Sequence, residues 1–211
     1  MEEKRRKKVS KYLSKLLRHD PARLGLALEP GGWLNLGDLL RAFERRGVSF
    51  SKAEIFEAAL RGEKPRFSIE VIGTSATHSN DMFSSDHRFL SDLEQLQYIN
   101  PDHLRIRANY GHSIPVDLDF SPECPPERLF HGTARQFLTR IMEEGLVSMR
   151  RQFVHLYEEP GGALEVGQRH GRPVLLAVRS GEMHGAGLSF YPAGGGIWLT
   201  EGVPSVYLRK T

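Results

Sequence analysis

The sequence predicts an α+β fold in two lobes, and three observations carry that expectation. Helical periodicity fills the first third, strand-like runs dominate the last, and the proline-rich stretch DFSPECPPERLF lies between them. The spacing places helices roughly at Lys7–Arg18, Leu36–Arg46 and Lys52–Leu60. In the first, Val9, Tyr12, Leu13, Leu16 and Leu17 share one face, and Asp20-Pro21 ends the run. Between the first two, Pro30-Gly31-Gly32 reads as a turn and Trp33 as a core anchor. The third opens on a capping box, with Ser51 as cap and Glu54 three positions later.

RFSIEVIG and LRIRANYGHSIPVDL then read as two strands. Three helices followed by a two-stranded ribbon is a winged-helix pattern. The polar, Ser-rich segment near 73–102 between these strands reads as an excursion from the small domain, with a short helix at Leu90–Gln97. Its His78 and His87 lack a convincing set of companion ligands, and no metal is predicted. The domains expected are 1–118, a linker at 119–127, and 128–211. Beyond the linker come a helix near Ala134–Glu144, a strand at Val154–Tyr157, a helix near Ala163–His170, and strands at PVLLAVRS, LSFY, GIWLT and VYLRK.

Composition narrows the function classes. At 211 residues and 39% hydrophobic content, the chain can form one sizeable core or two smaller ones. No apolar run approaches the roughly 20 residues that span a bilayer. The opening MEEKRRKKVSKY has charge without the apolar block of a secretory signal, so a cytoplasmic, non-membrane protein is expected. A single cysteine, Cys124, excludes an internal disulfide and a cysteine-cluster zinc site. Net charge is only +3, yet Met1–Leu24 holds nine Lys or Arg against three acidic residues, a distribution that favours polyanions or a solvated helix face. Neither GxGxxG nor GxxxxGK[ST] is present in strand–turn–helix context, so a dinucleotide needs another architecture.

Chemistry concentrates in short clusters: LLRH, KPRF, IRANYGHS, FHGT and MRRQFVHLY. Arginine offers a planar fork of donors suited to phosphate, and histidine exchanges protons near neutral pH. A site dominated by such groups suits anionic substrates. Each residue also has a plain structural reading. Arg18 and His19 complement a helix C-terminus, Arg66 can pair with a surface carboxylate, His112 can satisfy a turn, and His155 can be a core histidine. His131 lies at a strand-to-glycine turn before a helix that the Thr133 hydroxyl could cap.

The ordered combination of YLSKLLRH, GGWLNLGDLL, RF, IRANYGHS, HGT, RRQFVHL, VLLAV and GIWLT resembles the Tpt1/KptA family of RNA 2′-phosphotransferases. The resemblance implies an N-terminal winged-helix lobe, a C-terminal ADP-ribosyltransferase-like lobe of mixed sheet, and a site between them. It implies removal of an internal splice-junction 2′-phosphate from RNA, with tRNA or a tRNA-like molecule as partner, by a monomer. NAD+ is then a consumed co-substrate, and the products are 2′-hydroxyl RNA, nicotinamide and ADP-ribose 1″,2″-cyclic phosphate. The family's catalytic Arg-His-Arg-Arg set falls on Arg18, His19, Arg66 and Arg151. Its NAD-pocket elements fall on His112, Ser113, His131, Gly132 and Thr133, where Gly132 and Thr133 would let the ligand approach closely. Two departures stand out: Tyr110 replaces the usual glutamine of NQGHS, and Phe153 and Tyr157 alter RQHVHLS. A protein ADP-ribosyltransferase is the rival enzyme, though no matching glutamate can be assigned. A winged-helix module joined to a ligand sensor is the rival without catalysis.

Overall fold

The computed structural model describes residues 1–62, 65–72, 96–169 and 171–211. The excursion from 73 to 95, with His78, His87 and most of the helix expected over 90–97, lies outside the described residues. The chain divides into two compact units, Met1–Asp119 and Phe120–Thr211.

In the first unit, helix α1 spans Glu3–His19 and buries Val9, Leu13, Leu16 and Leu17. It begins four residues before the sequence signal, because its first turn is all charge; Glu3 pairs there with Lys7 at 2.5 Å. Asp20 ends the helix in a non-helical conformation, and its carboxylate accepts from the Arg23 backbone N–H at 3.1 Å. Strand β1, Trp33–Asn35, leads directly into α2, Leu36–Arg45, capped by the Asn35 side chain. The expected capping box opens α3, Lys52–Leu60: Ser51 and Glu54 each satisfy the other's backbone N–H. Strands β2, Phe67–Val71, and β3, Leu104–Ala108, complete an antiparallel sheet of order β1-β3-β2.

The expected two-stranded ribbon is therefore a three-stranded sheet. Trp33 pairs with Arg107, but three residues are too few to display alternation, so GGWLNL carries turn signals and no strand signal. Alternate residues Leu104, Ile106 and Ala108 of β3 are buried with Phe67 and Ile69 of β2 against the helices. Tyr12, Phe43 and Phe50 close this core in edge-to-face contacts of 5.3 to 5.9 Å.

The second unit is built on a six-stranded antiparallel sheet. Its strands are β4 (Leu129–Ala134), β6 (Val154–Tyr157), β7 (Pro173–Val178), β8 (Tyr191–Pro192), β9 (Ile197–Thr200) and β11 (Leu208–Lys210), in the order β11-β7-β4-β6-β9-β8. Two-residue strands β5 (Leu146–Val147) and β10 (Gly202–Val203) pair separately. The helix expected near 134–144 is a 3₁₀ turn, Arg135–Phe137, followed by α4, Leu138–Glu144. Helix α5, Pro160–Gln168, starts three residues before its apolar signal because proline fits the first helical position. A short α6, Ser180–Gly185, follows β7. Leu129, Leu156, Leu176, Val178, Phe190 and Leu208 form the buried centre.

Two glycines let α5 lie directly on β4. A Cβ at Gly132 would sit 1.7 Å from the Ala163 carbonyl oxygen, and one at Gly167 would sit 2.7 Å from that of Thr133. Backbone meets backbone at a distance that any side chain forbids. No helix among the described residues is long and apolar enough to cross a membrane.

Candidate functional site

In the first unit, α1 and the loop after β3 bring four of the nine candidate residues into one region. The last turn of a helix leaves carbonyls without intrahelical partners. The backbone N–H of Ser113 donates to one of these, Arg18 O, at 2.9 Å. One residue on, the Ser113 hydroxyl meets His19 Nδ1 at 2.7 Å. Ser113 thus fixes the adjacent pair at the end of α1 through both its backbone and its side chain.

The Arg18 guanidinium lies 5.0 Å from the centre of the Tyr110 ring and 5.9 Å from that of Phe67. Gly111, at φ +88°, passes beside it; a Cβ there would meet Arg18 Nη1 at 3.4 Å and would need a conformation that L side chains rarely adopt. Arg66 joins the same region through sheet register. Phe67 pairs with Ala108, so Arg66 and Asn109 are the next opposed residues, and Asn109 N–H donates to Arg66 O at 2.9 Å. The buried Asn109 amide also donates to Pro65 O at 3.0 Å and accepts from Ser68 Oγ at 2.7 Å. It clamps the backbone on both sides of Arg66.

His112 is 1% exposed, and neither ring nitrogen has a hydrogen-bond partner. Burial foremost, then the positive charges of Arg18, His19 and Arg107, push its pKa down to about 4. The turn role expected for its side chain is absent. A neutral imidazole buried beneath cations has a testable consequence for stability. Between pH 6.5 and about 4 the unfolded chain takes up a proton that the folded chain refuses. Stability should therefore fall as pH drops through that window, by up to about 1.4 kcal/mol per pH unit, and level off below it. Urea unfolding of wild type and His112→Gln across pH 4–7 checks this; the variant's curve should be the flatter one.

In the second unit, His131 lies within β4, not at its end. Its Nδ1 is 3.0 Å from His155 O, so against a carbonyl it must be the donor. Burial lowers the His131 pKa, opposed by that hydrogen bond, which keeps the ring neutral and leaves Nε2 as an acceptor. His155 is buried and donates from Nδ1 to Phe153 O at 3.1 Å, consistent with its core reading. The cap expected from Thr133 does not form: β4 runs on through Ala134, and the following turn has no side-chain cap. Gly132 is needed for contact with α5. Arg151 is exposed in the turn before β6, two residues after Met149, whose φ is +49°. Among the described residues no group of three or more His, Cys, Asp or Glu could hold a metal ion.

Residues 4–202 match the model of a family described as RNA 2′-phosphotransferase, Tpt1/KptA family. The chain belongs to the Tpt1/KptA family. A protein of Streptomyces griseus named "Probable RNA 2′-phosphotransferase" is 42% identical over 208 residues, covering 99% of this chain and 98% of that one. Proteins given the same name in Nostoc punctiforme and Herpetosiphon aurantiacus are 38% and 39% identical, covering 100% and 99% of this chain and 99% and 98% of theirs. As a Tpt1/KptA protein, the chain is a transferase.

For this Tpt1/KptA chain, sequence reading missed the residues that hold the candidates in place. Asn109 had one signal, an amide at the end of an alternating strand, which buries it where it must find partners. Tyr110 was noted only as a departure from the family pattern; the structure makes it the ring on which Arg18 rests.

Proposed function

We propose that the chain is an NAD+-dependent RNA 2′-phosphotransferase that removes an internal 2′-phosphate, tRNA or a tRNA-like RNA being the partner. One observation carries the reading: Arg18, His19, His112 and Ser113 converge, Asn109 holds the Arg66 backbone, and the charges that act on His112 are all positive. Such a region attracts a dianionic phosphate and offers it forked donors. The order helix, strand, two helices, two strands in the first unit supports its reading as a winged helix.

NAD+ enters as a substrate. A 2′-phosphate oxygen bonds to the ribose C1″ of NAD+ while the bond to nicotinamide breaks. The ribose 2″-hydroxyl oxygen then bonds to phosphorus, the bond to the RNA 2′-oxygen breaks, and the hydroxyl proton ends on that oxygen. Arg18 and Arg66 orient the phosphate, and His19, held by Ser113, handles the proton of the second step. Arg151 stabilises charge at the phosphorus. In the second unit the neutral His131 fits a ribose hydroxyl, because its bare Nε2 can accept the hydroxyl proton in a hydrogen bond.

Incubating the protein with NAD+ and either a 2′-phosphorylated oligonucleotide or its unphosphorylated counterpart tests the reading. Nicotinamide release and 2′-hydroxyl RNA should both require the phosphate. Absence of both, in folded protein that binds both ligands, would overturn it. ADP-ribose transfer to protein without phosphorylated RNA would favour a protein ADP-ribosyltransferase.

A further inference from the structure

Lys4, Lys8, Lys11 and Lys15 are all exposed on α1, and their spacing of four, three and four residues continues to Arg18 after three more. At 3.6 residues per turn these five positions fall within an arc of about 80° along about 20 Å of helix. The buried Val9, Leu13, Leu16 and Leu17 occupy the opposite face. Pairing separates the stripe from its neighbours. Arg5 meets Glu54 at 2.6 Å and Lys7 meets Glu3 at 2.5 Å, whereas none of the four stripe lysines makes an ion pair among the described residues. Asp20, the carboxylate near Lys15 and Arg23, is engaged by the Arg23 backbone N–H. Four cations in a row without an ion pair among the described residues, leading to the arginine proposed to hold the reactive phosphate, are laid out for a linear polyanion.

We propose that Lys4, Lys8, Lys11 and Lys15 form a track for the phosphate backbone of the RNA flanking the reactive nucleotide, which leads that nucleotide to Arg18. The proposal rests on the RNA 2′-phosphotransferase reading for the identity of the polyanion. Contacts of this kind add affinity without reading sequence, and they do so by releasing condensed counterions.

The test replaces all four lysines by glutamine, which has similar helix propensity. A control replaces Arg128, Arg135, Arg172 and Lys210, exposed cations of the second unit, with glutamine. Binding is followed by fluorescence anisotropy with a single-stranded 2′-phosphorylated RNA of roughly twenty nucleotides, and turnover with a minimal 2′-phosphorylated dinucleotide. Removing four phosphate contacts should lower the log–log salt slope by about 2.8. Between about 50 and 200 mM salt the wild type should then lose about 50-fold more affinity than the variant. The control should keep the wild-type slope, and the quadruple lysine variant should keep wild-type kcat on the dinucleotide.

An unchanged slope would overturn the proposal, as would an equal fall in the control, which would trace the effect to net charge. Loss of binding to phosphatidylserine vesicles with RNA binding intact would assign the stripe to a membrane surface instead. If the wild type releases no nicotinamide, the activity reading fails alone, and the RNA-binding arm still decides the track.

Discussion

Arg151→Ala should form the ADP-ribosylated RNA and then stall. The first step of the proposed reaction moves a phosphate oxygen onto a ribose carbon, and nicotinamide takes the C–N bonding pair and departs neutral, so no negative charge builds on phosphorus. In the second step negative charge builds on a five-coordinate phosphorus, where a guanidinium fork matters most. Arg151 lies in an exposed turn between the left-handed Met149 and strand β6, outside both cores, so truncation removes the fork without opening a cavity. Resolution of the intermediate should slow about 10²- to 10³-fold, the range for losing one transition-state donor, while its formation slows far less. Rapid-quench separation of substrate, intermediate and product RNA measures both rates. Equal slowing of the two would move Arg151 from the phosphate to general support of the fold or of NAD+ binding.

How legible these features were depends on what kind of residue carries them. Apolar periodicity located the helices because burial imposes a 3.6-residue pattern, as Leu13, Leu16 and Leu17 display. It failed where charge replaces that pattern, in the first turn of α1, and where the element is too short to have one, in β1. The capping box at Ser51 was readable because both partners lie within one turn. Ser113 was readable only as a family position. Its hold on Arg18 and His19 joins residues nearly a hundred apart, and no local pattern records such a contact. Gly132 also admits a second close neighbour, because no local pattern records that α5 packs on β4 there. The same limit explains Thr133, whose capping pattern is genuine but lies inside a strand fixed by pairing with β7.

Arg18→Lys should abolish most of the activity while leaving the fold intact, because this position requires a plane as well as a charge. The guanidinium carbon lies within cation–π range of the Tyr110 and Phe67 rings with Gly111 close beside it, a setting that suits a flat cation. An ammonium keeps the charge, fits the space and loses the planar fork. A fall in kcat of about 10²- to 10³-fold is expected, with thermal stability changed little. Tyr110 separates orientation from charge in the same experiment. Tyr110→Phe keeps the ring and should keep nearly full activity. Tyr110→Leu fills similar space without a π face and should lower kcat about 3- to 30-fold, in line with a partly buried cation–π contact. The α1 end would still be held by Ser113 in all three variants, so a shared defect in the His19–Ser113 contact is not expected. If Tyr110→Phe and Tyr110→Leu lose activity alike, the phenol oxygen rather than the ring sets Arg18, and the platform account gives way to a hydrogen-bonding one.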